Sequence, residues 1–210
     1  MIISGEKALA VFKKVRQVQE EYRAYALVPQ PLKLSIEDLY RVVAAMYGVT
    51  ITKSQVPFEG TFLRGLMERY AASIIIRVRK NQDDDWKRFT SVKELCHVVI
   101  DETEDWSTAG VETINDLLVE YYLTEGDAAR RVTQSEMFAE IAAIELMYPF
   151  EFREADISKL KTSDTTHVRI ANQHGLPASM VGRALDAHYH INIASKFWAQ
   201  LAPRAEAAAI

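Results

Sequence analysis

The sequence predicts an α+β fold in which helices outnumber strands. Three observations carry this. Apolar residues recur at helical spacing from Ser4 to Gly48, the period shortens to β-branched and aromatic runs between Val49 and Lys80, and helical patterns return after Arg88. With 210 residues, 49% of them hydrophobic and 26% charged, the chain can bury a sizeable core.

The first helix is expected from Ser4, an N-cap type, through Leu9, Phe12, Val15, Val18, Tyr22 and Tyr25, and is closed by the breaker "VPQP". A second helix should start at Ser35, carry Leu39, Val42, Val43 and Met46, and end at Gly48, which suits a left-handed cap. "VTITKSQVPF", "GTFLRGLME" and "ASIIIRVRK" then read as three strands of a small antiparallel sheet, each bounded by Pro, Gly or a charged turn. "NQDDDWK" reads as a solvated turn, since it lacks the alternating ligands and the Gly of a calcium loop. A helix over "RFTSVKELCHVVID" follows, then a polar loop "ETEDWSTAG", a helix "VETINDLLVEYYL" and an Ala-rich helix "SEMFAEIAAIELMYP" stopped at Pro149. Two or three short helices and a frayed tail complete the chain.

Composition narrows the function. A net charge of -4 and a pI near 5.8 give no global attraction to phosphate or anionic lipid. The single cysteine, Cys96, excludes an internal disulfide and faces the core by periodicity. The opening residues lack a secretory signal, and the longest apolar runs fall far short of the about 20 residues of a membrane span, so a cytoplasmic protein is expected.

The chemistry concentrates in "KELCH". Zinc peptidase helices place two histidines at i and i+4 on one face, with a glutamate after the first to polarise the metal-bound water. Glu94 and His97 stand at two of these positions, but position 93 is Lys. An ammonium has only donors and repels a dication. To ligate, it would have to lose a proton from a group of pKa about 10.4, costing roughly 4 to 5 kcal/mol at neutral pH. A purely structural reading stands beside this: Ser91 and Glu94 match a capping box, and Val92, Leu95, Cys96 and Val99 supply a core face.

The pattern as a whole resembles the ImmA/IrrE family of zinc metallopeptidases. Arg88, Phe89 and Thr90 match the lead-in of that family's "RFTxxHExxH" helix, and "EMFAEIAAIELMYP" supplies Glu136, Ala139, Ala143, Leu146, Met147 and Pro149 in register with its second motif helix. The resemblance runs from about Val49 to Tyr189. It implies a zincin-like core, a small antiparallel sheet packed on the active-site helix, with additional helices. The chain is accordingly expected to divide into a metallopeptidase-like α+β domain over residues 1–160 that includes the N-terminal helices, a helix-turn-helix-like segment over 161–200 packed on it, and a flexible tail over 201–210.

By the same resemblance Glu94 takes the general-base position, His97 and Glu136 the metal-ligand positions, and Lys93 the degenerate ligand position. Lys93 and His97 share a helical face that Glu136 should approach, so the ammonium is expected near the metal's place, paired with Glu136 and Glu94. The expectation is therefore a catalytically degenerate, antirepressor-like module of phage, mobile-element or stress origin, holding no cofactor and binding a protein partner such as a helix-turn-helix repressor. The competing reading is an active zinc endopeptidase with a non-standard ligand set.

"IANQHGLPASMVGRAL" spaces Ala171, Gly175, Leu176 and Val181 like a DNA-binding helix-turn-helix. Its second helix carries only Arg183 against Asp186, too little for phosphate-driven affinity, so DNA contact is not expected. His167, His174, His188 and His190 are read as surface or packing residues.

Overall fold

The computed structural model describes residues 5–27, 32–58, 63–102 and 127–202, the side chains of 127–133 excepted. Helix α1 (Gly5–Ala26) buries Val11, Phe12, Val15, Val18 and Tyr22, the face its periodicity predicts, but Tyr25 is 51% exposed beyond the last buried turn. Helix α2 (Ile36–Tyr47) is bounded as expected. The Ser35 hydroxyl accepts from the Asp38 amide, and Gly48 adopts φ 63°, where the missing Cβ makes the left-handed cap inexpensive. Ser4, "VPQP", the loop after Glu102, the helix "VETINDLLVEYYL" and the tail lie outside the described residues.

The sheet is mixed rather than antiparallel, which corrects the sequence expectation. Its order is β1 (Thr50–Val56), β3 (Ser73–Arg79), β2 (Gly65–Arg69); β1 runs parallel to β3 and β2 antiparallel to it. Period-2 alternation encodes which face is buried and says nothing about direction. Direction follows from the connections. Residues 70–72 are a tight link that folds β3 back on β2, while residues 57–64 give β1 enough chain to leave β2 on the far side of β3. On β3, Ile74, Ile76 and Val78 alternate into the core.

Helix α3 (Asp84–Ile100) starts earlier than expected. Asp84 to Lys87 of the supposed turn form its first turn, with acids where the helix dipole favours them. Ser91 and Glu94 are consequently buried in mid-helix, and the capping-box reading is overturned. α3 is buried along nearly its whole circumference over its second half, the mark of a central helix. The sheet, α2 and helix α4 (Asp127–Met147) pack around it. Ala139, Ala142 and Ala143 are fully buried on α4, and their small side chains permit close approach to α3.

Five short helices follow: α5 (Phe150–Lys161), α6 (His167–His174), α7 (Ala178–Leu185), α8 (Ala187–Tyr189) and, after a π-helical turn at His190–Ala194, α9 (Ser195–Leu201). More elements stand here than the two or three expected, because one- and two-turn helices carry too few repeats to register as a period. Ala171, Leu176 and Val181 are buried between α6 and α7, around a Gly175 turn at φ 69°. No described helix is long and apolar enough to cross a membrane.

Candidate functional site

The site lies where the middle of α3 faces the exposed rim of α4. Lys93 and His97 are one turn apart on α3, and Glu136 reaches both from α4. Lys93 Nζ is 2.6 Å from Glu136 Oε2 and 3.1 Å from Glu94 Oε1. His97 Nε2 is 3.3 Å from Glu136 Oε1. All four residues singled out by sequence therefore meet at one point. Glu94 and His97 are buried, with side chains 5% and 7% exposed, whereas Glu136 is 53% exposed.

Three further residues complete the arrangement. The His97 ring turns its other nitrogen, Nδ1, to Asp101 Oδ2 at 2.9 Å and Ser135 Oγ at 3.1 Å, and the Ser135 hydroxyl donates to Asp101 Oδ1 at 2.7 Å. Both Ser135 and Asp101 lie on the Nδ1 side and Ser135 donates to the carboxylate, so this is an orienting cluster and not a nucleophilic triad. Arg69 of β2 donates from Nη2 to the His97 carbonyl at 3.2 Å. Asp101, at i+4 from His97, and Ser135, adjacent to Glu136, carried a spacing signal that the sequence reading did not use. Arg69, on another element, carried none.

Gly65 explains how the sheet comes so near. A Cβ there would stand 2.5 Å from Thr90 Cγ2 and 2.8 Å from Glu94 Oε1, so only glycine lets the start of β2 lie against this turn of α3.

The charges support one another. For His97, burial alone would disfavour the imidazolium, but the carboxylates of Asp101 and Glu136 on its two nitrogens outweigh it and raise the pKa to about 10. Lys93 follows the same logic: desolvation opposes its charge, and Glu94 and Glu136 more than reverse this, leaving its pKa above that of an ordinary lysine. Glu136 is held well below the carboxylate range, because Lys93 and His97 overcome the desolvation that acts the other way. Burial pushes the Cys96 thiol up, which makes it a packing group and not a nucleophile.

Against zinc, the donor set is short. Among the described residues no group of three or more His, Cys, Asp or Glu converges as metal ligands. His97 Nε2 and a Glu136 oxygen make two protein donors where zinc sites ordinarily use three or four, and a protonated Lys93 offers no lone pair. Glu94 Oε1 and His97 Nε2 nonetheless have no aligned hydrogen bond, although both are buried. The remaining sequence candidates lie elsewhere. His174 packs between Tyr148 and Phe152, His190 stacks on Phe150, and Arg183 pairs with Glu140 of α4 rather than standing free for phosphate. Compared with known proteins, the chain matches no family model and no curated protein sequence.

Proposed function

We propose that this chain is a metallopeptidase-like fold in which the Lys93 ammonium takes the place of the metal, and that it works by binding a protein rather than by cutting one. The observation that carries the reading is the position of Lys93 Nζ, within 3.1 Å of both Glu94 and Glu136. The ammonium balances the two carboxylates that a metallopeptidase would use as general base and ligand. A carboxylate paired in this way, without a polarised water to act on, is a poor general base. The resemblance to the ImmA/IrrE family supplies the partner class, a protein such as a helix-turn-helix repressor sequestered without cleavage, and the cytoplasm as the place of action.

One observation favours the second reading, an active zinc endopeptidase. Glu94 Oε1 and His97 Nε2 are left without aligned partners at the point where a metal or its water would sit. The two readings separate on metal content. The chain purified without chelator is expected to hold no zinc, while Lys93→His, which completes the two-histidine motif with Glu136, is expected to hold about one zinc per chain. A stoichiometric zinc in the parent chain would overturn the first reading and support the second.

A further inference from the structure

A cavity of about 190 Å³ opens between β1, the start of α2 and the first turns of α3, away from the site just described. Its lining includes Lys53, Lys87 and Arg88 against one carboxylate, Asp84, in a chain whose net charge is -4. Arg88 spends its donors on neutral backbone oxygens, Leu34 O at 2.9 Å and Gly175 O at 3.2 Å, and the nearby carboxylates of Glu37 and Asp85 act on it through space without an ion pair at contact distance. Lys87 Nζ is 2.9 Å from Asp84 Oδ1, and Lys53 Nζ is 3.9 Å from Glu37 Oε1. Those two acids are 91% and 71% exposed, so water screens both pairs and an incoming anion can displace them.

Ile36, first residue of the 12-residue α2, and Asp84, first residue of the 17-residue α3, also line the cavity, but Glu37, Asp38, Asp84 and Asp85 already occupy the first turns of those helices, so the side-chain cations are the groups left for an anion. Ser91, almost completely buried, lines it as well. Three cations around one small cavity form an anion site of the kind that a tetrahedral oxyanion fills.

We propose that this cavity binds a phosphate-type oxyanion, as free phosphate or as a small phosphate monoester. The proposal is independent of how the Lys93 site is read. It is tested by calorimetric titration of the full chain with inorganic phosphate and with phenyl phosphate, using chloride at equal ionic strength as the control. Saturable one-to-one binding with a Kd of about 1 mM or tighter is expected. Phenyl phosphate binding more tightly than phosphate assigns the site to a monoester, and the reverse assigns it to free phosphate.

The double variant Lys53→Gln/Lys87→Gln should weaken binding at least about tenfold, the loss expected for charge-assisted contacts. Asp84→Asn, which removes the competing acid and leaves every cation in place, should tighten it. A thermal melt like that of the parent establishes that the double variant is folded, and Asp84→Asn gives a second readout that does not depend on it. Absence of saturation, an equal response to chloride, or a Kd unchanged in both variants would overturn the proposal.

Discussion

Among the described residues, two clusters of buried charge are built to different standards. In the C-terminal half Glu145 and Arg153 are both fully buried, with Arg153 Nη2 2.9 Å from Glu145 Oε1. Each Glu145 side-chain oxygen also receives a neutral donor from a distant element: the Tyr189 hydroxyl at 2.6 Å on Oε1 and the Trp198 ring N–H at 2.8 Å on Oε2. Arg153 gives two further hydrogen bonds to the Tyr148 carbonyl, and its guanidinium lies within 6 Å of the Tyr148, Phe150 and Tyr189 rings. At the Lys93 site, by contrast, Glu136 is half exposed; buried polar atoms without aligned partners occur in both clusters, Arg153 Nη1 in the first and Glu94 Oε1 and His97 Nε2 in the second.

The difference teaches what each cluster is for. The first is sealed from solvent and joins α4, α5, α8 and α9, although Arg153 Nη1 lacks an aligned partner, as expected of charges kept for structure. The second is open to solvent on the Glu136 side, which fits the proposed reading of a site kept without a metal.

If that contrast is right, breaking the closed network should cost the most. Arg153→Ala leaves the Glu145 carboxylate buried without its cation and should destabilise by about 4 kcal/mol, read from the urea midpoint. Lys93→Met also strands two carboxylates, but Glu136 can turn to water, so a loss of about 2 kcal/mol is expected. A loss at Lys93 equal to that at Arg153 would erase the distinction. Gly65→Ala should cost about 1 to 3 kcal/mol, because its Cβ meets Thr90 and Glu94 at distances real contacts do not reach. A neutral outcome would mean that β2 does not press on α3.

The pH dependence sharpens the same comparison. His97 has a folded pKa raised to about 10 from 6.5, so its stabilisation is complete below about pH 6.5 and lost as pH rises through 10. Glu136 is shifted down, so its contribution is present above the ordinary carboxylate range and lost as pH falls toward its lowered pKa. Stability should therefore plateau near pH 5 to 6.5 and decline on the alkaline side. In His97→Gln the decline between pH 7 and 10 should vanish, as followed by denaturant midpoints across pH.

Much of this site was legible in the sequence, for local reasons. Lys93, Glu94 and His97 lie within one turn of one helix, where spacing fixes which side chains share a face. Glu136 lies on a separate helix, and its resemblance to a second motif was the signal that brought it in. Asp101 and Ser135 do not touch the place of a metal but orient the His97 ring from behind, so a pattern of metal-contacting groups does not include them. The start of α3 was missed because three consecutive Asp read as a turn, although acids are also what a helix N-terminus favours.

Other features depend on contacts between residues far apart in the chain. The direction of β1 is set by connections and not by alternation, and no local pattern announces that Glu145 will meet Arg153, Tyr189 and Trp198. Cavities such as the one beside Lys53, Lys87 and Arg88 arise only when three elements come together.

The most direct test of the central claim is a double-mutant cycle on Lys93→Met and Glu136→Gln, measured by urea denaturation in the presence of chelator. The account predicts a favourable coupling of at least about 1 kcal/mol between the two side chains. Additive losses, with coupling near zero, would contradict it: the ammonium would then not be holding the carboxylate, and Lys93 could not be standing in for a metal.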